Sequence, residues 1–124
     1  MNKVRPVNLN LLTIKQPIMA IISILHRISG IMLLIALPYL LCLLSMATHD
    51  QDSYISVADF VATTFGKITL WLVFAAFAFH WVAGLRHMVM DMGYGETLRG
   101  GRLGAYAVLV VTAVLVLFMG SVLW

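Results

Sequence analysis

Residues 28–48, ISGIMLLIALPYLLCLLSMAT, contain no Asp, Glu, Lys, Arg or His. A helix that crosses the hydrocarbon core of a bilayer needs about 20 predominantly apolar residues. Residues 68–85 and 103–124 have the same character, and His80 is the one residue of those five types within them. The lengths of these runs predict three transmembrane helices and an all-α membrane protein.

The composition of the whole chain agrees with this fold class. The 124 residues are 62% hydrophobic and 10% charged, with a mean hydropathy of +1.00, whereas soluble domains are about half apolar. We expect a single three-helix domain over residues 1–124, with a cytoplasmic arm at 1–17 and helices at about 18–48, 64–92 and 103–123. The sequence has no nucleotide-binding loop and no cysteine–histidine finger, so we expect no nucleic-acid partner.

Two local features refine these boundaries. Pro38 lies inside the first predicted helix and removes one backbone donor, which predicts a bend. Glycines predict a turn-rich loop between the second and third helices. These glycines are Gly93, Gly95, Gly100 and Gly101.

Basic residues are concentrated on one side of the predicted helices. Cytoplasmic segments of membrane proteins are enriched in lysine and arginine. This bias predicts a cytoplasmic N-terminus, a cytoplasmic second loop and a periplasmic C-terminus. Lys67 lies on the opposite side, whereas the cytoplasmic side holds Lys3, Arg5, Lys15, Arg27, Arg86, Arg99 and Arg102.

His80 is isolated within the second predicted span. At 1.5 Å of helical rise per residue it lies about 9 Å from Arg86, inside the hydrocarbon region. Ionisable residues are rare at that depth and are functional candidates by default. Small residues share its helical face at spacings of three and four, namely Ala76, Ala83 and Gly84.

Two interpretations of His80 stay open. A groove of small side chains admits a flat, bulky ligand, and neutral imidazole is a common axial ligand of haem iron. Alternatively, the imidazole bonds to a neighbouring helix and the small residues permit close helix packing. His87 returns to nearly the same face, where it either contacts a haem propionate or pairs with Asp91 at a solvated helix end.

A polar stripe is predicted at the start of the first helix. Ser23, His26, Arg27 and Gly30 are spaced at i, i+3, i+4 and i+7, which favours a common face. The serine and arginine can donate to one acceptor at the membrane boundary, such as a quinone carbonyl. Arginine also serves as a headgroup anchor at helix ends, and position alone does not separate these roles.

Three segments together point to a known family. They are residues 5–9 (RPVNL), 23–30 (SILHRISG) and 80–91 (HWVAGLRHMVMD). In this order among three helices, the chain resembles the cytochrome b556 membrane-anchor subunits of bacterial succinate dehydrogenase along nearly its whole length. Asn10 departs from the pattern, since the family often has aspartate there.

The resemblance implies an anchor subunit of respiratory complex II in the bacterial cytoplasmic (inner) membrane. It implies that His80 is one axial ligand of a haem b whose other ligand comes from a second small anchor. It implies that Ser23 and Arg27 line the ubiquinone site, and that His26 and Arg27 also lie near the haem propionates. The implied partner chains are an iron–sulfur subunit and the flavoprotein subunit that oxidises succinate in the tricarboxylic acid cycle.

Two other functions must be weighed against this one. A cofactor-free three-helix scaffold or accessory subunit would have the same spans. A transporter subunit using His80 as a proton relay would need several intramembrane ionisable residues along a path. The third span has none, so the sequence disfavours a transport path and leaves the scaffold open.

Overall fold

The computed structural model of the chain describes residues 16–124, and all regular structure in that range is helical. The predicted arm lies outside the described residues, apart from residues 16 and 17. The helices are α1 (Ile18–Ala47), α2 (Gln51–Ala62), α3 (Thr64–Asp91) and α4 (Leu98–Leu123). Since α1, α3 and α4 are long and apolar enough to cross a membrane, the all-α class and the three predicted spans are confirmed.

The short helix α2 is absent from the sequence prediction, which assigned no helix to residues 49–63. Its N-cap is Asp50, whose side chain accepts a hydrogen bond of 2.7 Å from the Ser53 amide. An N-cap of this kind satisfies one of the free amides in the first helical turn. The first connection is therefore a capped helix of 12 residues.

The last helix begins at Leu98 rather than near residue 103. Thr97 is the N-cap, and its hydroxyl accepts from the Gly100 amide at 3.0 Å. Gly100 and Gly101 therefore belong to α4, and the expectation that they mark a turn is wrong. The turn itself uses Gly93 and Gly95, whose φ angles of 86° and 78° lie in the left-handed region that favours glycine.

Helix α3 lies at the centre of the bundle and packs against both α1 and α4. The buried core is small and joins these three helices through Ile22, Ala83, Ala105 and Val108. Pro38 lies inside α1 and does not end it. Most large apolar side chains on the three long helices are exposed, including Leu34 at 72%, as expected for surfaces that face lipid or partner chains.

Two polar side chains tie α3 to α4. Near one end of the pair, the Trp71 indole donates to the Val116 carbonyl at 2.9 Å. Near the other end, Arg86 Nη2 donates to the Gly101 carbonyl at 3.1 Å. In lipid such bonds hold helices in register, because no water competes for the carbonyls.

Candidate functional site

His80 faces α1 at the point where that helix carries its serine, histidine and glycine residues. Its Nδ1 lies 3.1 Å from the His26 carbonyl oxygen and 3.0 Å from Ser29 Oγ. Ser29 is 5% exposed, and its hydroxyl also lies 2.8 Å from the His26 carbonyl. The imidazole is thus held by the neighbouring helix through one of its two nitrogens.

This contact determines which nitrogen of His80 remains free. A carbonyl oxygen only accepts hydrogen bonds, so the bond to the His26 carbonyl requires a proton on Nδ1. In a neutral imidazole the proton on Nδ1 leaves a lone pair on Nε2. Nε2 makes no hydrogen bond within residues 16–124, and unlike His26 Nε2 it is not among the buried polar atoms that lack a partner.

Three histidines are brought together beside this contact. The His26 ring stacks on His80 with a centroid distance of 4.2 Å and an interplanar angle of 27°. On the other side it approaches His87, with a centroid distance of 5.2 Å and a tilt of 39°. His26 Nε2 is buried and has no hydrogen-bond partner in the described part of the chain. The cluster therefore contains a buried polar atom without a hydrogen-bond partner. Such atoms are rare in folded proteins.

The predicted polar stripe on α1 contacts α3 through two of its four residues. His26 and Gly30 face α3, where an added Cβ on Gly30 would lie 3.0 Å from His80 Cε1. Arg27 is exposed and Ser23 is half-buried. Neither hydrogen-bonds to nor stacks on the three histidines. Because all four positions lie in the continuous helix α1, their spacing does place them on one side of it. Only His26 and Gly30 of this set contact His80, and Arg27 is left exposed.

Small residues on α3 serve close packing, as one of the two interpretations predicted. Ala83 is 1% exposed and belongs to the core shared by α1, α3 and α4. An added Cβ on Gly84 would lie 3.6 Å from His26 Nε2, so this glycine faces the histidine cluster. The interpretation that bonds His80 to a neighbouring helix also agrees with the structure, but it uses Nδ1 alone and leaves Nε2 free.

His87 and Ser29 both differ from what the sequence suggested. His87 forms no ion pair with Asp91; it approaches the His26 ring instead. Sequence reasoning assigned no role to Ser29, although it belongs to the SILHRISG segment and stands three residues after His26. In a helix, a serine hydroxyl can donate to the backbone carbonyl three residues earlier. The spacing of Ser29 from His26 was therefore the sequence signal for this contact.

The residues of this cluster fit a haem better than a bare metal ion. Within residues 16–124 no group of three or more His, Cys, Asp or Glu side chains is arranged to hold a metal ion. A haem needs only one axial nitrogen from a chain, and His80 Nε2 meets that need. Its Nδ1–H donates to a carbonyl, which is the usual way a ligating histidine is oriented. The unpartnered His26 Nε2 offers a position for a carboxylate.

Comparisons with known proteins identify the family of the chain. The model of the succinate dehydrogenase/fumarate reductase transmembrane subunit family matches residues 1–119. A succinate dehydrogenase cytochrome b556 subunit from Coxiella burnetii is 38% identical over the full length of both chains. The subunit of the same name from Paracoccus denitrificans is 32% identical, covering 93% of this chain and 91% of its own length. A cytochrome b560 subunit from Reclinomonas americana is 33% identical over 88% of this chain and 79% of its own.

The matched residues include most of the described structure and the whole histidine cluster, and the expected resemblance is confirmed. With its three apolar spans, the chain is a multi-pass membrane protein. A subunit of this class works in a complex with other chains, which agrees with the exposed apolar surface of the bundle. The chain therefore belongs to the succinate dehydrogenase/fumarate reductase transmembrane subunit family and is a subunit of an oxidoreductase of that class.

Proposed function

We propose that this chain is the larger of two small haem-binding anchors in a bacterial succinate:ubiquinone oxidoreductase. The observation that carries the proposal is the free Nε2 of His80, on a span-length helix, with Nδ1 tied to α1 at 3.0 and 3.1 Å. The name cytochrome b556 subunit, given to relatives at 38% and 32% identity, supports haem b as the ligand. His80 then supplies one axial ligand and the second anchor supplies the other.

The neighbours of His80 have a role in holding the haem carboxylates. His26 Nε2 is buried without a described partner, and the carboxylate of a haem propionate would accept a hydrogen bond from Nε2–H. His87 is half-buried beside it, and Arg27 is exposed on α1 at the same level. Charge-assisted bonds from such groups to carboxylates are about twice as strong as neutral ones. We assign propionate contacts to His26, Arg27 and His87.

Ser23 and Arg27 are assigned to the ubiquinone site. The hydroxyl and the guanidinium lie one helical turn apart on α1, and neither is engaged by the histidine cluster. Both donate hydrogen bonds, and a positive charge favours the reduced, more negative form of the quinone. When bound, haem b supplies one-electron redox chemistry, and the residues of this chain position and polarise the quinone beside it.

The distribution of basic residues also favours one orientation of the chain in the membrane. The basic residues favour a cytoplasmic N-terminus and a periplasmic C-terminus in the bacterial cytoplasmic membrane. Ser23, Arg27 and His87 then lie near the cytoplasmic surface, where the iron–sulfur subunit would dock and the flavoprotein subunit would oxidise succinate. The chain holds those partners on the membrane and shapes the end of the electron path.

Replacing the proposed ligand tests the haem assignment. His80→Leu in the assembled complex should abolish or shift the reduced-minus-oxidised b-type spectrum, because leucine has no lone pair for iron. His49→Leu is the matched control, since His49 is exposed and lies in the short segment between α1 and α2. A His80→Leu complex with an unchanged spectrum would remove His80 from the ligand set and favour the scaffold function.

Quinone chemistry is tested separately from haem. Ser23→Ala removes one neutral hydrogen bond, worth about 0.5–1.5 kcal/mol, and Arg27→Leu removes a charged one, worth about 1.5–3 kcal/mol. Quinone reduction should fall up to about tenfold in the first variant and roughly 10–150-fold in the second. Succinate oxidation with an artificial acceptor that takes electrons before the quinone site should continue. An unchanged ratio of the two activities in both variants would reduce Ser23 and Arg27 to headgroup anchors.

A further inference from the structure

Ser29 completes a triangle of polar atoms between α1 and α3. Its Oγ lies 2.8 Å from the His26 carbonyl and 3.0 Å from His80 Nδ1, while Nδ1 lies 3.1 Å from the same carbonyl. Ser29 is 5% exposed, so water does not compete for these bonds. The hydroxyl is therefore a fixed part of the surroundings of the imidazole.

The protons in this triangle have one consistent arrangement. The Ser29 hydroxyl donates to the His26 carbonyl, which leaves the oxygen of the hydroxyl as an acceptor. His80 Nδ1–H then donates to both Ser29 Oγ and the carbonyl. The reverse arrangement, with the serine donating to a bare Nδ1, would lose the bond between Nδ1 and the carbonyl. Ser29 thus favours the tautomer of His80 with its lone pair on Nε2.

We propose that Ser29 is a positioning residue for haem ligation and helps to set the reduction potential of the haem. The proposal rests on the assignment of His80 as the axial ligand. An acceptor on the far nitrogen of a ligating histidine fixes its ring and raises the basicity of the ligating nitrogen. A more basic ligand stabilises ferric over ferrous iron and lowers the potential.

Packing around Ser29 leaves the ring of His80 little freedom. Gly30 adjoins the ring so closely that an added Cβ would lie 3.0 Å from Cε1. The His26 ring covers one face at a centroid distance of 4.2 Å. With the ring confined in this way, the acceptors at Nδ1 determine its rotation about the Cβ–Cγ bond. Removing the hydroxyl changes that rotation and the ligand basicity together.

The test is a redox titration of the haem in the assembled complex carrying Ser29→Ala. Loss of one of two acceptors should favour the ferrous haem by about threefold to tenfold, which for a one-electron couple is a rise of about 30–60 mV. Haem content should also fall, toward the lower end of the 10–100-fold range for lost ligand-orienting bonds.

Two variants separate the role of the hydroxyl from general packing. Ser29→Thr keeps the hydroxyl, and an open groove of about 210 Å³ beside Ser29 has room for the added methyl group. The Ser29→Thr complex should keep the wild-type reduction potential. Ser121→Ala removes a hydroxyl that bonds three residues back in the same way, at 2.7 Å to Phe118, with no histidine beside it. It should leave the potential unchanged.

The outcomes distinguish this inference from the haem assignment. If His80→Leu removes the b-type spectrum while Ser29→Ala keeps the wild-type potential and haem content, Ser29 has no positioning role and His80 is still the ligand. If His80→Leu leaves the spectrum intact, both fail. Should Ser29→Ala not assemble, Ser29→Cys keeps a similar volume with a weaker acceptor. A Ser29→Cys complex with the wild-type potential would overturn the inference.

Discussion

The contact between α1 and α3 differs sharply between its two ends. At the His80 end, hydrogen bonds of 3.0 and 3.1 Å, a ring stack and a close glycine fix the two helices. The groove beside Ser29 at this end measures about 210 Å³, whereas toward the Pro38 end the same helices leave two larger open grooves of about 470 and 400 Å³. The larger groove is lined by Leu33, Ala36, Leu37, Leu40, Leu70, Val73, Phe74 and Phe77.

This difference shows how a small membrane chain divides its surface between fixed geometry and adaptable packing. Hydrogen bonds are directional, so they hold the imidazole of His80 at one rotation. Apolar side chains in lipid gain nothing from excluding water. At the Pro38 end, side-chain packing alone therefore determines the distance between α1 and α3. Precision is therefore concentrated where the chemistry is proposed, and the opposite end tolerates change.

The strongest test of the comparison introduces the same side chain at both ends. Gly30→Val places atoms within about 3 Å of His80, and overpacking of this kind costs about 1–3 kcal/mol. The haem-to-protein ratio of the complex should fall roughly 5–150-fold. Ala36→Val puts valine into open grooves on the same helix and should leave haem content unchanged. Equal losses in both variants would show that the two ends do not differ as described.

A smaller effect is expected from the polar contact between α3 and α4 at the far end. Trp71→Phe removes the bond from the indole to the Val116 carbonyl, worth about 0.5–1.5 kcal/mol. The midpoint temperature at which the complex dissociates in detergent should fall, and its haem spectrum should be unchanged. Trp81→Phe is the control, because Trp81 is 55% exposed. If the control lowers the midpoint equally, side-chain size and not the hydrogen bond is responsible.

The smallest expected effect concerns the capped connection α2. The hydrogen bond from the Ser53 amide holds the pKa of Asp50 below its ordinary value. A carboxyl group with a lowered folded pKa contributes stability above its unfolded pKa of about 4 and loses it as pH falls through the folded pKa. Exchange protection of the Ser53 amide should therefore be flat near neutral pH and decline in acid. Asp50→Asn keeps the cap without a charge, so a similar acid decline in that variant would contradict the prediction.

The spans could be predicted from sequence because hydrocarbon thickness sets their length and excludes charge. The start of α4 could not, since Gly100 and Gly101 are typical of turns and the hydroxyl of Thr97 overrides that preference. Helix α2 was missed for a similar reason. Its 12 residues are too few and too polar for a span, and only its cap at Asp50 distinguishes it from a loop.

The candidate site was predictable to the extent that single residues are conspicuous. His80 stands out because an ionisable group in lipid is costly. Its contact with Ser29 and Gly30 depends on how far α1 is rotated toward α3, which the helical period alone does not fix. The same rotation turns His26 toward α3 and leaves Arg27 exposed, although their spacing places both on one side of α1.

The acceptor that His80 shares with Ser29 is the backbone carbonyl of residue 26. Every amino acid carries that carbonyl, so a replacement at position 26 removes the imidazole stack but leaves the acceptor in place. A substitution at this position therefore acts on the ring contacts with His80 and His87 and on the proposed propionate contact, and not on the acceptor for His80 Nδ1. The orientation of His80 is inherited through the path of α1, and it persists in any descendant chain that keeps that helix, Ser29 and Gly30.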